Sequence, residues 1–345
     1  MSKTYGFCIA GAGFIGGIHA EVISLISNAR VAVIYDNNEK AGKELAKKTG
    51  AEYISDLEKA VNNSDVDIVS ICTPSGAHLE VAIKSARAQK HLIVEKPIEI
   101  TVERTNQIIN EAQKNGVMLT CIFPYRFLNG VKAAKEAIES GRLGKIVLSN
   151  AYIKWYRSDG YYQASEWKGT YAMDGGGALM NQGIHNVDLL QYLAGKIENI
   201  FAWTRTLAHD IETEDTVVAV LNFSDGFLGS IEASTACWPG ESGKVEVFGD
   251  KGTIILSDGR ITRWQIHDAK ENEEEKMLDL EEDKGSGARS VSGFSTEMHY
   301  EQINDFIDAI EKNREPIILG YEARKSVEII RAIYSSADKD RPVNL

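Results

Sequence analysis

The sequence predicts an α/β chain with two domains. Residues 1–125 are expected to form a doubly wound parallel sheet, because apolar strands alternate there with amphipathic helices. This pattern changes after Gly141-Arg142-Leu143-Gly144, and hairpin-forming turns recur between about residues 200 and 267. Residues 126–345 are therefore expected to form an α+β domain with a large open mixed or antiparallel sheet. A length of 345 residues also favours two domains over one.

The elements of the first domain follow one another closely. Apolar runs over 5–10 and 31–35 predict the first two strands, with a helix between them. Thr101 is expected to cap a helix, because its hydroxyl can accept a backbone N–H of the first turn. The remaining predicted elements are a strand over 66–72, a helix over 76–90, a strand over 91–94, a helix over 101–115 and a strand over 117–123.

The second domain is predicted to begin with an alternating strand over 146–155 and to contain a long helix over 177–193. Two closing helices are expected over 298–312 and 321–337, and they can pack back on the first domain. The acidic run over 268–284 predicts a solvated loop or strand rim. The turns that predict hairpins are Asp225-Gly226, Asp250-Lys251-Gly252 and Asp258-Gly259.

A glycine-rich turn joins the first predicted strand to the first helix. The residues are Gly11-Ala12-Gly13-Phe14-Ile15-Gly16, and an acid, Asp36, ends the next strand. In this context the spacing GxGxxG is typical of a dinucleotide-binding (Rossmann) domain. Gly11 allows the tight turn, Gly13 lets a pyrophosphate approach the backbone, and Gly16 lets the helix pack on the sheet. The helix start, with Phe14 and Ile15, offers N–H groups to the phosphates.

Asp36 predicts which dinucleotide is bound. A carboxylate at this position accepts hydrogen bonds from the adenosine ribose hydroxyls and repels a 2′-phosphate. The next two residues are Asn37 and Asn38, so no Arg or Lys directly follows Asp36 to bind a 2′-phosphate. The sequence therefore predicts NAD as the cofactor and favours it over NADP.

Composition excludes several classes of protein. The net charge of −12 argues against a nucleic-acid partner, and no apolar run is long enough to cross a membrane. The four cysteines are widely spaced without a CxxC pair, which predicts neither a disulfide framework nor a structural zinc site. The seven histidines are scattered without ligand spacing, so we expect no metal. The N-terminus lacks the cleavage site of a signal peptide, and we expect a cytoplasmic protein.

Three later segments lie where a doubly wound fold places a site. Cys72-Thr73-Pro74 ends one strand, with His78 soon after, and Glu95-Lys96-Pro97 ends the next. The third segment is Gly175-Gly176-Gly177-Ala178-Leu179-Met180-Asn181-Gln182-Gly183-Ile184-His185. With the fingerprint and its trailing His19, the Arg-Leu-Gly linker and the closing segment around Glu315-Pro316, the chain resembles the Gfo/Idh/MocA oxidoreductases over nearly its whole length.

The resemblance implies the chemistry. His185 would be the general base that takes a hydroxyl proton while a hydride leaves for NAD, and Lys96 would lie beside the same hydroxyl. An imidazole titrates near neutral pH, and an ammonium stabilises a developing alkoxide. Asn181 stands four residues before His185, at a position where the family often has Asp. An Asn side chain cannot accept a proton, so we expect His185 to act as the base without an Asp–His proton relay. Asn181 can still hold a hydroxyl by hydrogen bonds.

Further site residues follow from the same resemblance or from side-chain chemistry. Thr73, Pro74, His78 and Glu95 are expected at the cofactor, although His78 can instead serve as a helix start. Tyr125 and Arg126 resemble a segment near the substrate, although a structural salt bridge is an equal alternative for Arg126. Aromatic faces and arginine forks suit a sugar ring and its hydroxyls. The substrate candidates of this kind are Arg157 and Trp167, and a loop packed on the second domain is the equal alternative for their segment. Trp238 is a candidate for the rim of the site.

The resulting prediction is an NAD-dependent dehydrogenase that acts on a secondary hydroxyl of a sugar, cyclitol or related polyol. Two alternatives share the fold. One is a glycoside hydrolase that oxidises its substrate transiently and cleaves it by elimination. The other is a non-catalytic NAD-binding regulator. Because an open sheet has a face to cover and the family is usually dimeric or tetrameric through it, a homo-oligomer is also expected.

Overall fold

The structure is a computed structural model that describes residues 3–280 and 296–345. The chain divides into two compact units. One comprises Met1–Ile122 and Thr296–Arg324, and the other comprises Phe123–Ser295 and Lys325–Leu345. No helix in the described ranges is long and apolar enough to cross a membrane.

The first unit is built on a parallel sheet of six strands in the order β3-β2-β1-β4-β5-β6. This is the strand order of a Rossmann fold, in which the order of the strands across the sheet reverses between β1 and β4. The central strand β1 is buried along its whole length, as expected for a strand covered on both faces. The strands are β1 (Tyr5–Ala10), β2 (Ala29–Tyr35), β3 (Glu52–Ile54), β4 (Ile68–Ile71), β5 (His91–Val94) and β6 (Leu119–Cys121).

Helices cover both faces of this sheet. Thr101 caps its helix as predicted, since its hydroxyl accepts the N–H of Arg104 at 3.2 Å. The later helix α10 (Thr296–Lys312) packs on α1 and adds Ile303, Phe306 and Ile307 to the core of this unit. The other helices are α1 (Phe14–Leu25), α2 (Glu39–Thr49), α3 (Leu57–Val61), α4 (His78–Arg87) and α5 (Val102–Lys114), with a 3₁₀ turn at Ser75–Ala77.

The second unit contains a mixed sheet of eight strands in the order β13-β12-β11-β7-β10-β9-β8-β14. Only β7 and β10 pair in parallel within this described sheet. The three predicted turns join β9 to β10, β11 to β12 and β12 to β13, as the sequence indicates. The strands are β7 (Ile146–Lys154), β8 (Ile197–Arg205), β9 (Thr216–Phe223), β10 (Leu228–Ser234), β11 (Lys244–Gly249), β12 (Gly252–Ser257), β13 (Arg260–Ile266) and β14 (Val343–Asn344).

One face of this sheet is covered by helix α8, which contacts β7 and β11. The predicted fold class is therefore confirmed for both halves of the chain. The helices are α6 (Asn129–Glu139), α7 (Asp159–Gln163), α8 (Ile184–Ala194), α9 (Glu273–Leu278) and α11 (Gly320–Lys339), with a 3₁₀ turn at Pro124–Phe127 and a π-helical segment at Ala178–Gly183.

Two local predictions differ from the structure. The helix predicted over 177–193 begins as the π-helical segment and becomes α-helical only at Ile184. The acidic run contains α9, where a loop or strand rim was expected, because acidic residues favour a helix N-terminus and Glu273 forms an ion pair with Arg142 at 2.6 Å. Residues 281–284 of that run lie outside the described residues.

Candidate active site

The glycine-rich turn has the geometry that the fingerprint predicts. Gly11 has φ of +109°, and a Cβ there would lie 2.5 Å from the carbonyl oxygen of Cys72. A Cβ at Gly16 would lie 1.9 Å from the carbonyl oxygen of Gly11, so α1 could not approach the turn. Gly13 is exposed and nothing lies within 4 Å of the position of its Cβ. The open space at Gly13 is the kind of cradle that a pyrophosphate requires.

The N-terminus of α1 suits the same group. No side chain caps this helix at Gly13, and its first turn contains no acid. Phe14 is exposed and Ile15 is half-buried beside the glycines. An uncapped helix start concentrates N–H dipoles and a partial positive charge, which favour a bound phosphate.

Asp36 lies directly after β2, at the edge of the glycine-rich turn. Its two carboxylate oxygens accept the backbone N–H groups of Ala12 and Asn38, each at 2.6 Å. These bonds hold the carboxylate beside the cradle, where a ribose would follow a pyrophosphate. The residues of this unit therefore fit the cofactor that the sequence predicts.

The ends of β4 and β5 are tied together by His78. Its Nε2 lies 2.9 Å from the carbonyl oxygen of Thr73, and its Nδ1 lies 3.0 Å from that of Pro97. Burial lowers the pKa of His78, although Glu99 opposes this effect. The ring is almost wholly buried, which supports a helix-start role over direct contact with a cofactor. Thr73, which precedes Pro74, has a buried hydroxyl without a hydrogen-bond partner in the described structure.

A buried polar cluster lies beneath Lys96. His19 of α1 bonds Ser70 through Nδ1 at 2.7 Å and Glu95 through Nε2 at 2.9 Å, and His299 Nε2 lies 3.9 Å from the same carboxylate oxygen. Burial disfavours the imidazolium of His19, but Cys72 and Glu95 outweigh it and raise its pKa to about 10. Burial likewise opposes ionisation of Glu95, yet His19, His299 and Lys96 lower its pKa to about 2.

Glu95 is therefore ionised, and its carboxylate stabilises the turn that follows β5. Its second oxygen accepts the backbone N–H of Lys96 at 3.1 Å, and the Lys96–Pro97 peptide is cis. The potential ligand atoms of His19, Glu95 and His299 lie within 4.8 Å of one another. The hydrogen bond between His19 and Glu95 explains the short distance between these two side chains as an ion pair. The absence of a metal stays a prediction.

In the second unit, His185 stands at the start of α8. It is half-buried, and its ring centroid lies 5.8 Å from that of Phe123 and 5.5 Å from that of Tyr125. Asn181 lies four residues earlier in the π-helical segment and donates to Asp174 Oδ1. Burial, with a contribution from Asp258, raises the pKa of Tyr125, so its phenol remains protonated.

The π-helical segment is held by Glu214, which precedes β9. One carboxylate oxygen accepts the N–H of Gly177 at 2.9 Å, and the other accepts the N–H of Leu179 at 3.0 Å and the hydroxyl of Tyr334 at 2.7 Å. A Cβ at Gly177 would lie 2.0 Å from the carbonyl oxygen of Glu214. The glycines before His185 thus allow a close approach to this carboxylate.

Arg126 forms the structural salt bridge that the sequence left open. Its guanidinium donates to both oxygens of Asp188, at 2.8 and 2.6 Å, and stacks 4.3 Å from the ring centroid of Tyr192. Both charged side chains are buried. A bidentate buried pair of this kind supports the structural alternative, and a contact with substrate stays a prediction.

Arg157 belongs to a polar network with the segment that precedes His185. Its Nε donates to Gln182 Oε1 at 3.0 Å, and Gln182 Nε2 lies 2.7 Å from the hydroxyl of Tyr161 and 2.8 Å from Asn181 Oδ1. The structure therefore brings together Arg157, Asn181 and the start of α8. These are three of the predicted substrate positions.

The two tryptophan candidates lie in different settings. Trp167 is half-buried in the loop after α7, where its carbonyl accepts the hydroxyl of Thr170. Trp238 is 78% exposed and packs edge-to-face on Tyr156, with ring centroids 4.9 Å apart. Tyr156 adjoins Arg157, so Trp238 lies in the neighbourhood of the same network. Substrate contact stays a prediction for both tryptophans.

The sequence analysis missed several polar residues of this site. Glu214, Asp174 and Gln182 are buried and hold the segment that carries Asn181 and His185. One indication was available: Thr213-Glu214-Asp215 places two acids directly before an alternating strand. Burial of those acids depends on packing that local sequence does not reveal.

Comparison with known proteins identifies the family. Residues 5–123 match the model described as an oxidoreductase family with an NAD-binding Rossmann fold, and residues 131–255 match the GFO/IDH/MocA C-terminal domain. The chain is 30% identical to the WlbA dehydrogenase from Bordetella pertussis, solved with NADH and UDP-GlcNAcA, with a TM-score of 0.91 over 100% of this chain and 99% of that one.

Curated relatives agree with this match. Myo-inositol 2-dehydrogenase of Thermotoga maritima is 28% identical over 94% of this chain and 97% of its own length. A 2,7-anhydro-N-acetylneuraminate hydratase of Mediterraneibacter gnavus is 24% identical over 99% of this chain and 97% of its own length. The chain belongs to the Gfo/Idh/MocA family, and it is an NAD-dependent oxidoreductase of the sugar and cyclitol dehydrogenase type.

Proposed function

We propose that the protein oxidises a secondary hydroxyl of a sugar, cyclitol or related polyol, with His185 as general acid/base and Lys96 assisting. The observation that carries the proposal is the placement of His185, half-buried at the start of α8 after a segment that Glu214 holds rigidly. A general base must lie within hydrogen-bond reach of the proton that it removes, so its position is the first requirement for this role. The family assignment supports an NAD-linked oxidoreductase reaction, within which these two roles are proposed.

The chemistry assigns each group one task. Bound NAD supplies the acceptor for the hydride that leaves the carbinol carbon. His185 takes the hydroxyl proton, so that a C=O bond forms as the O–H and C–H bonds break. Lys96 stabilises the developing negative charge on oxygen. In the reverse direction His185 returns the proton to the carbonyl oxygen.

The cofactor would be held by residues of the first unit. Gly13 and the start of α1 suit the pyrophosphate, and Asp36 suits the adenosine ribose. The same carboxylate would repel the 2′-phosphate of NADP, which supports NAD as the cofactor. Thr73 and Pro74, at the end of β4, are proposed to line the path of the dinucleotide.

Two substrate classes are represented among similar proteins. One relative is named as an inositol dehydrogenase, which acts on a neutral cyclitol, and one structure was solved with UDP-GlcNAcA, an acidic sugar nucleotide. The proposed reaction is the same for both classes.

The proposal is tested by NADH absorbance with purified protein, NAD or NADP, and a panel of sugars, cyclitols and sugar acids. His185→Ala should reduce turnover by about 10²-fold or more, because general acid–base catalysis typically contributes 10²–10⁴-fold. Lys96→Ala should have a similar effect, because removal of a group that stabilises a developing oxyanion typically costs about 10²–10³-fold. Lys114→Ala, an exposed lysine at the end of α5, is the control. Full activity in His185→Ala would rule out its role as the base.

A second candidate function is favoured by the similarity to the hydratase. Transient oxidation acidifies the neighbouring C–H bond, and elimination can then cleave a glycosidic or anhydro bond before the carbonyl is reduced again. Such an enzyme recycles its cofactor. Cleavage of a glycoside or anhydro sugar without net NADH would support this function, whereas NAD binding without any turnover would support a regulator.

We further propose that the protein forms a homo-oligomer through the open face of its eight-stranded sheet. Apolar side chains of four adjacent strands are exposed on this face, which we call the outer sheet face; its exposed members include Leu148, Trp203, Val218, Val220 and Leu228. A contiguous apolar surface of this kind marks an interface more often than a solvated face.

A further inference from the structure

Two cations lie around one tyrosine ring in the segment that follows β7. The guanidinium carbon of Arg157 lies 5.2 Å from the ring centroid of Trp155 and 5.5 Å from that of Tyr161. Lys168 Nζ lies 3.9 Å from the same Tyr161 ring. We call Arg157 and Lys168 the two-cation cluster. Arg157 is only 9% exposed, so its charge is largely removed from water.

In the part of the chain that the structure describes, the two-cation cluster has no counter-ion. Among residues 3–280 and 296–345, no Asp or Glu oxygen lies within 4.0 Å of either charged group. Burial lowers the pKa of Arg157, and burial lowers the pKa of Lys168 although Asp174 acts against it from farther away. Arg126, another buried cation of this unit, is paired with the carboxylate of Asp188. Buried charges are normally paired, so the described surroundings of this cluster suit an anion that a ligand brings.

The hydrogen bonds of Arg157 orient its guanidinium without using all of it. Nε donates to Gln182, and Nη1 donates to the carbonyl oxygen of Tyr156 at 3.1 Å. Arg157 also forms a side-chain hydrogen bond with Tyr161. A guanidinium has five N–H donors, so two remain after these three bonds. A carboxylate accepts two parallel bonds from such a fork, which gives both affinity and a defined orientation.

The position of the cluster indicates which part of a ligand it would bind. Gln182 connects Arg157 to Asn181 through a 2.8 Å bond, and it lies three residues before His185. An anion bound by Arg157 would therefore lie close to the segment that carries the proposed base. This favours a charged group on the reacting sugar ring over one on a remote substituent.

We propose that Arg157 and Lys168 bind a carboxylate of the substrate, and that the substrate is an acidic sugar such as a hexuronic acid or a derivative of one. This inference rests on the proposed function, because it concerns the sugar whose hydroxyl His185 would deprotonate. Of the two substrate classes described above, it favours acidic sugars over neutral cyclitols and sugars.

The test uses substrate pairs that differ only in the carboxylate. NADH formation is compared for UDP-glucuronate against UDP-glucose and for glucuronate against glucose, with glucose 6-phosphate as a second anion. The wild type should favour the acidic member by roughly 30-fold in kcat/KM, which corresponds to about 2 kcal/mol and lies within the range of coupling energies for close charge pairs. Arg157→Met should lose this preference, Lys168→Met should reduce it, and Arg157→Lys should keep part of it.

Arg87→Met is the matched control, since it removes one exposed guanidinium far along the sequence from the cluster, and it should change nothing. Equal use of acidic and neutral sugars, or an acid preference that survives Arg157→Met, would overturn the inference and leave the proposed dehydrogenase intact. A preference for glucose 6-phosphate over glucuronate would overturn the choice of a carboxylate. If Arg157→Met does not fold, judged by circular dichroism, Arg157→Lys and Lys168→Met decide the result.

A binding measurement separates this inference from the proposed function. If no sugar yields NADH, the proposed function fails, and glucuronate and UDP-glucuronate are titrated by calorimetry into protein saturated with NADH. Binding that is selective for the acid and is lost in Arg157→Met would still support the anion site. Absent binding, or equal binding of acid and neutral partner, would overturn it.

Discussion

His19 contributes a buried charge to the first unit. Its imidazolium faces Glu95, Cys72 and Ser70, and His299 lies 3.9 Å from the same oxygen of Glu95. The pKa of His19 rises from 6.5 to about 10 on folding. A histidine with a raised folded pKa stabilises the fold fully below its unfolded pKa, and this contribution is lost as the pH rises through the folded value.

The pH dependence of stability tests this pair at the scale of one residue. Relative to His19→Gln, the wild type should be more stable by about 3 kcal/mol at pH 6, and this advantage should fall progressively between pH 6.5 and pH 10. Urea unfolding of both proteins at pH 6 and pH 9 measures the change. His267→Gln replaces an exposed histidine and should show no such trend. An advantage that grows with pH would contradict a charged His19.

At the scale of one element, the π-helical segment depends on a carboxylate from elsewhere in the chain. Glu214 accepts two backbone N–H groups of this segment and the hydroxyl of Tyr334. Burial raises the pKa of Glu214, while these hydrogen bonds act to lower it. π-helical turns are unusual and often occur at functional sites. We therefore interpret Glu214 as a positioning residue for Asn181 and His185.

Replacement of Glu214 should lower kcat without changing the affinity for NAD. Glu214→Ala leaves buried N–H groups unpaired, which costs about 1–3 kcal/mol in stability, and we expect kcat to fall about tenfold or more. NAD affinity, measured by fluorescence titration, should not change, because the dinucleotide site is on the other unit. Glu214→Gln keeps one acceptor and should restore part of the rate. Glu212→Ala removes an exposed glutamate that also accepts a backbone N–H, and it should leave kcat unaffected.

At the scale of the whole molecule, the outer sheet face predicts self-association. Trp203 and Val218 are paired across β8 and β9, and Leu148 and Leu228 are paired across β7 and β10. Light scattering coupled to size exclusion should show a dimer or larger species for the wild type. Val220→Asp places a charge among these apolar side chains and should shift the mass towards the monomer. Ile317→Asp, an exposed apolar residue of the first unit, should not. A monomeric wild type would contradict the interface.

The sequence by itself determined the parallel sheet, the glycine-rich turn with Asp36, the hairpin turns and the family. These features depend on periodicity and on backbone conformations that neighbouring residues encode, such as the positive φ of Gly11. Only the tertiary structure decided that Glu214 holds the π-helical segment, that Arg126 pairs with Asp188 and that no carboxylate of the described residues pairs with Arg157. Those outcomes join residues 25 or more positions apart, as between Arg157 and Gln182. The partner of a buried polar group is set by how elements pack, and local sequence does not encode that packing.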